Sequence, residues 1–328
     1  MSMIAEVDTD CFKYSCSFAG ETRSVLVEHA DGFCKEYKSR TEFHGRGKDR
    51  NTGEIAKLNK AKGKTYLAEE FTYTDIQVAE PIDEVYRSTK NTIDLAIARS
   101  GAKSANHYVG SGESWRVNAS TLLKYKGERG SQIKPLLLDE VTAFIVDKYN
   151  AEIITGLEVD DVVTMRSYGK PDRFVLGEDK DASGAGTKFY NISKPNIGVV
   201  DGAVFGSLHK NDKGKVTGVG RMFKLFQVCW GDPVDNYKAG CFSDIRLGEV
   251  GVYDRLVGSA NDKELFQNAV NIFKELYPET KIVTGWRGDK IEVDWLYAMQ
   301  EMFTMAHMLR FEGDSVDIKD VLDKLNVN

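Results

Sequence analysis

Four groups of acidic side chains, spread from Asp8 to Asp235, constrain this chain more than any other feature. They are Asp8 with Asp10, Glu158 with Asp160 and Asp161, Asp179 with Asp181, and Asp232 with Asp235. Each stands at or just past a short apolar run, or beside a helix start, in MIAEVDTD, IITGLEVDDVV, RFVLGEDKD and FQVCWGDPVD. Strand ends of a parallel α/β sheet meet along one edge, so residues far apart in sequence can share a site there. Carboxylates gathered in one place repel each other, and an unpaired buried charge is costly. A hard divalent cation, which takes oxygen ligands, resolves that conflict. This many acids predicts two such ions, the arrangement that serves in-line phosphodiester hydrolysis. Any single pair is ordinary at a helix N-terminus. Four in one context, two of them following runs rich in β-formers, are poorly explained by capping.

The strands and helices alternate along the chain, which predicts an α/β fold with a mostly parallel central sheet flanked by helices. The expected strands include 3–8, NHYVG, AEIIT and RFVLG; PIDEVYRSTKNTIDLAIARS, PLLLDEVTAFIVDKY and EVDDVVTMRSYG read as helices. KYSCSF, RSVLVEH, GFCKEYKSRTEF and EEFTYTDIQV read as strands of an insertion over about 12–78, interrupted by a loop at 45–64. Small strands occupy 182–220, and the chain beyond GEVGVYDRLVGS, through DKELFQNAVNIFKELY and IEVDWLYAMQEMFTMAHMLRF, reads as helical. No apolar run approaches a membrane span, and MSMIAEVDTD has no signal pattern, so a cytoplasmic protein without membrane contact is expected. Five cysteines without a CxxC pair fit free thiols, and five histidines without ligand spacing argue against zinc.

A net charge of −6 runs against nucleic-acid binding, but setting aside the eight acids Asp8, Glu158, Asp160, Asp161, Asp179, Asp181, Asp232 and Asp235 turns it to +2. Residues 35–64 hold ten Lys/Arg against four acids. A solvated basic loop and a DNA contact account for that run equally well.

VDTD at 7–10, YKGER at 125–129, LEVDDVV at 157–163, EDKD at 178–181 and GDPVDNYKAG at 231–240, with MAHMLRF at 305–311, give an order of motifs that resembles the flap-endonuclease superfamily. The chain is most similar to the bacteriophage 5′–3′ exonucleases of that PIN-like group. The resemblance implies a PIN-like nuclease domain over 1–255 with a helical arch, a helix–three-turn–helix at about 232–256, and a helical region at 256–328. It implies a 5′–3′ exonuclease of phage replication and recombination in the bacterial host cytoplasm. DNA duplexes with a 5′ end or flap, and RNA–DNA hybrids, would be substrates, with replication proteins as further partners.

Carried over by residue, the resemblance assigns two Mg²⁺ or Mn²⁺ sites. One is held by Asp8, Glu158 and Asp160 with Asp161 close by, the other by Asp179, Asp181, Asp232 and Asp235. Asp10 falls behind them. Lys126 and Arg129 would act at the scissile phosphate, since a guanidinium matches phosphate bidentately and an ammonium is a compact charge. Tyr125 would stack on the terminal base. Gly240, Gly248 and Gly251 would let backbone approach DNA phosphates, with K⁺ bridging there.

Two departures stand out. CFSDIR lengthens the glycine-rich motif, and Ser111 or Gly112, with Glu113 nearby, stands where relatives carry an acid. A PIN-type ribonuclease and a non-catalytic subunit that holds branched DNA are the alternatives.

Overall fold

The computed structural model describes residues 3–48 and 50–327, with the side chain of Ser131 outside that description. The chain forms two compact units, one of residues 1–12, 92–133 and 145–328, the other of residues 13–91 and 134–144.

The larger unit is α/β with a mostly parallel central sheet. Its strands, numbered along the chain, are β1 (Ile4–Asp8), β2 (Ser104–Ser111), β3 (Glu152–Thr155), β4 (Arg173–Gly177), β5 (Lys188–Asn191) and β6 (Val199–Asp201). They lie in the order β3-β2-β1-β4-β5-β6; the first five are parallel and β6 runs antiparallel to β5. The central strands are apolar because both faces are covered: Ala5, Val7, Val109, Phe174 and Leu176 are fully buried. The helix Val159–Ser167 packs on β1, β2 and β4 through Val159, Val162 and Val163. Strand order reverses at β1, so the carboxyl ends of β1 and β4 border the crevice where such sheets bind ligands. A second core joins the helices Gly220–Trp230, Asp262–Leu276, Trp295–Ala306 and Ile318–Leu325 through Phe223, Phe226, Ile272, Phe273 and Met299.

Several local expectations are corrected. RMFKLFQVCW, the apolar run before Asp232 and Asp235, is the helix Gly220–Trp230. MAHMLRF is helical only to Ala306. KIVTGWRGDKIEV, inside the stretch read as helical, is the hairpin Lys281–Thr284/Lys290–Val293, and Gly288 at φ +94° turns it. Between β2 and the helix Leu138–Tyr149 there is no helical arch among the described residues. That segment holds one turn of helix, Trp115–Ala119, and a 3-10 turn, Gly127–Ser131.

The smaller unit contains the expected strand-rich insertion and extends past it. Glu21–Glu28 lies between Cys34–Tyr37 and Thr72–Ala79 in an antiparallel sheet. KYSCSF is not a strand but part of the helix Asp10–Ala19, where Phe12 and Cys16 are buried at i, i+4 spacing. KSRTEF turns into the helix Arg40–His44 because Ser39 accepts the Glu42 N–H (3.1 Å) while Glu42 accepts the Lys38 N–H (2.7 Å). The expected loop at 45–64 contains the helix Glu54–Lys62, ended by Gly63 at φ +60°. No helix among the described residues is long and apolar enough to cross a membrane.

Candidate active site

The carboxyl ends of β1 and β4 place Asp8 and the Asp179/Asp181 pair side by side. Asp8 is the last residue of β1, and Gly177 ends β4 beside it: a Cβ on Gly177 would lie 3.4 Å from that of Asp8. Asp8, Asp179 and Asp232 share one local device. Each accepts, through one carboxylate oxygen, the backbone N–H two residues on, from Asp10 (2.9 Å), Asp181 (2.9 Å) and Val234 (2.7 Å). Such Asx turns fix the carboxylate direction. Asp10 accepts the Gly110 N–H (2.8 Å), so its carboxylate covers the end of β2 next to the place of Ser111.

Three other segments bring the remaining acids to this edge. Glu158 sits at the N-terminus of the helix Val159–Ser167, with Asp160 in its first turn. Burial, with Asp8, Asp179 and Glu158 close by, drives the Asp160 carboxyl strongly toward its neutral form. Burial and the neighbouring Asp179 and Asp232 raise Asp181 to about 8, although Lys180 pulls it down. Lys180 Nζ lies between Asp181 (3.1 Å) and Asp232 (2.8 Å), and Gln227 also donates to Asp181. The Tyr125 hydroxyl lies between Glu158 (3.0 Å) and Asp235 (2.8 Å). Lys126 pairs with Glu158 and lies 3.9 Å from Asp235, which also takes Arg129 at 2.6 Å. Desolvation would lower the Lys126 ammonium, but Glu158 and Asp235 more than offset it and hold it above its usual range.

Asp161 stands apart from this group. Its two oxygens take Arg116 Nη1 and Nη2 at 2.8 and 2.7 Å, the Trp115 indole at 2.9 Å and the Leu309 N–H at 3.0 Å. That set occupies its lone pairs, so Asp161 reads as the anchor of Arg116 and not as a metal ligand. Tyr125 is also revised: it is 3% exposed and its ring is not available to stack on a base. Of the three glycines, Gly248 alone is open, at the start of the helix Glu249–Leu256. Gly240 packs against Leu276, and a Cβ on Gly251 would meet Leu247 at 2.7 Å, so these two serve packing.

Sequence reasoning passed over four residues. Arg116 donates to Glu158 at 2.6 Å as well as to Asp161. Lys180 lies within the EDKD motif itself. Cys11 lies against the acids, its thiol pushed far up by burial and by Asp8, Glu178 and Asp160. Tyr237 is 3% exposed, and its hydroxyl has no hydrogen-bond partner among the described residues. Burial and the charges of Asp181, Asp232, Asp235 and Asp179 raise it well above the phenol range, which places it against the cluster. A basic or aromatic residue beside a DxD or GDxxD run was the available signal for Lys180 and Tyr237.

The acids are gathered around Lys126 and Lys180. Among the described residues no three His, Cys, Asp or Glu side chains already converge on one coordination point. The donor set nonetheless suits a hard cation: it is all carboxylate, two of its members are driven toward neutrality by burial and then by their neighbours' charge, and a buried hydroxyl without a partner among the described residues borders it. No protein-family model matches this chain, and no curated protein matches it.

Proposed function

We propose that the chain is a divalent-metal-dependent 5′–3′ exonuclease that hydrolyses phosphodiester bonds from the 5′ ends of duplex DNA, with 5′ flaps and RNA–DNA hybrids as related substrates. The observation that carries this reading is the meeting of Asp8, Glu158, Asp160, Asp179, Asp181 and Asp232 from four distant segments at one sheet edge, beside Lys126 and Arg129. Asp8, Glu158 and Asp160 would hold one ion, and Asp179, Asp181 and Asp232 the other, with Asp235 toward Arg129. When bound, a pair of Mg²⁺ or Mn²⁺ ions activates water and stabilises the attacking and leaving oxygens of an in-line displacement.

The chain's own residues do the rest. Lys126 and Arg129 hold positive charge next to the carboxylates and can give it to phosphoryl oxygens as their charge grows. Arg129, 45% exposed at its side chain, is the one that solvent reaches more readily. Tyr125 keeps Glu158 and Asp235 at a fixed spacing, and Arg116 orients Glu158 from behind.

A PIN-type ribonuclease is the second reading, favoured by the arch-less segment between β2 and Leu138–Tyr149. End-labelled duplex, 5′-flap, RNA–DNA hybrid and single-stranded RNA, each with Mg²⁺, Mn²⁺ or EDTA, separate the two. Mononucleotide release from the 5′ end of duplex DNA supports the first. Cleavage confined to single-stranded RNA favours the second, and no cleavage of any substrate removes both.

A further inference from the structure

The smaller unit carries a charge pattern that the acidic centre does not use. Phe43 of the helix Arg40–His44, with Ile55 and Leu58 of the helix Glu54–Lys62, turns onto Val25 and Val27 of the antiparallel sheet. Helical periodicity then turns Lys57 and Lys60 to the opposite side, away from that core. The loop joining the helices is closed at its base. A Cβ on Gly45 would meet Gly53 N at 2.6 Å, and one on Gly53 would meet Phe43 O at 2.5 Å. Arg46, Lys48 and Arg50 are therefore presented from a pinned loop, and all three are exposed.

Three cations of this layer are paired: Arg40 with Asp75 (2.5 Å), Lys57 with Glu54 (2.5 Å) and Lys62 with Asp31 (3.1 Å). For Lys38, Arg46, Lys48, Arg50, Lys60 and Lys64, no carboxylate among the described residues lies within ion-pair distance. In a chain of net charge −6, six cations of this layer without a carboxylate partner among the described residues are a specific feature.

We propose that this helical layer binds the phosphate backbone of duplex nucleic acid. A protein partner would be expected to need an apolar or aromatic anchor, and a membrane an apolar edge to insert. Among described residues 35–64 no large hydrophobic side chain is exposed. Cations alone, on helices and a short loop, suit a partner read by charge and not by shape or base edge. The choice of duplex nucleic acid as the polyanion rests on the nuclease reading.

The test is equilibrium binding of a labelled blunt DNA duplex to the full chain in EDTA, across a salt series. A variant with Arg46→Gln, Lys48→Gln, Arg50→Gln and Lys60→Gln is expected to bind at least about 10-fold more weakly at about 100 mM salt. Its salt slope should fall by roughly 3 to 4, near 0.9 for each phosphate that is no longer neutralised. A charge-keeping variant, with lysine and arginine exchanged for each other at the same four positions, should bind like the parent, which separates the effect of charge from that of side-chain replacement. Unaltered affinity and slope in the Gln variant would overturn the proposal, as would equal sensitivity toward an acidic peptide or phosphatidylserine vesicles with no duplex binding. Cleavage in Mg²⁺ is read separately. A chain that cleaves but shows no slope change loses the surface and keeps the nuclease; one that binds through these residues but never cleaves does the reverse.

Discussion

Arg116 and Asp161 are joined by two parallel hydrogen bonds, Nη1 to Oδ2 at 2.8 Å and Nη2 to Oδ1 at 2.7 Å, with both side chains almost fully buried. Arg116 also donates to the carbonyls of Met305 (3.2 Å) and His307, and to Glu158. One guanidinium thus ties the C-terminal end of the helix Trp295–Ala306 to the helix start that carries Glu158 and Asp160. Removing one partner leaves the other as an uncompensated buried charge, which typically costs about 3–5 kcal/mol. Arg116→Met should therefore lower unfolding free energy in urea by that amount, and the pair of changes Arg116→Met and Asp161→Leu by clearly less than the sum of the two single losses. Additive losses would show that the two residues do not act as a pair.

Asp179→Asn and Asp181→Asn bear on the proposed chemistry. Each keeps the size of the side chain and replaces a group that can bind a cation as a carboxylate by a neutral amide. Release of 5′ nucleotides in Mg²⁺ should drop below detection for either variant. Duplex affinity in EDTA should hold for both variants. Retention of more than a tenth of the parent rate by either one would remove that residue from the metal-binding set.

The sheet and its acids were legible for physical reasons. β1 and β4 carry short, largely buried apolar runs that end at Asp8 and Gly177, and a buried parallel strand has little choice but to look like that. The convergence of Asp8 with Asp179 follows once those strands are neighbours. What was missed depended on tertiary partners. KYSCSF alternates like a strand, but Phe12 and Cys16 find a core on one helical face. The role of Tyr125 could not be read from YKGER, since its partners lie 33 and 110 residues away. Asp161 looked equal to Asp160 in the DD pair, and only the arrival of Arg116, Trp115 and Leu309 divides their roles. The Ser39/Glu42 start signal was present in the sequence and overlooked.

Lys126 and Tyr125 hold the same two carboxylates by different means, so their substitutions should separate. Lys126 has φ +53°, a conformation uncommon for a residue with a side chain. Lys126→Met removes positive charge at the centre and should reduce turnover by about 100- to 1,000-fold, the range for removing one electrostatic interaction with the reacting group, with duplex Kd changed far less. Tyr125→Phe removes the one hydroxyl proton that Glu158 and Asp235 share as acceptors and should cost roughly 1–3 kcal/mol of stability. Its KM for duplex ends should stay near the parent value. A large rise in KM with stability intact would restore the base-stacking role to Tyr125.

A buried relay gives the fold a predictable pH dependence. Lys224 Nζ lies 2.6 Å from His307 Nδ1, and His307 Nε2 lies 2.8 Å from Asp314 Oδ2. Burial, with the Lys224 charge beside it, lowers His307 to about 4 despite Asp314. Burial, with Arg310 and Arg116 near, lowers Lys224 to about 7. Both folded-state values lie below the unfolded ones, so the unfolded chain binds these protons more readily. The stability from His307 is complete above about pH 6.5 and is lost as pH falls toward 4, on the order of 1–3 kcal/mol. Lys224 adds a further rise in stability between about pH 7 and 10.5. Urea midpoints between pH 4 and 7 should climb for the parent chain and climb less steeply for His307→Gln. Equal slopes would mean that His307 does not carry the effect.

Tyr237→Phe probes the acidic centre without touching a carboxylate. Its hydroxyl is buried against Asp181, Asp232 and Asp235, and it has no partner among the described residues. A buried hydroxyl left unsatisfied costs about 1–3 kcal/mol, so replacing it by hydrogen in EDTA should leave stability unchanged or raise it. In Mg²⁺ the sign should reverse. If the hydroxyl meets the ordered shell of a bound cation, the parent gains that contact and the variant does not. An ion that binds the folded chain stabilises it by RT ln(1 + [L]/Kd), so a weaker site appears as a smaller rise in Tm. The expected result is a Tm for Tyr237→Phe at or above the parent in EDTA, and a smaller Mg²⁺-induced increase. The same increase in both proteins would place Tyr237 outside the cation site and leave its lone hydroxyl as a cost of packing.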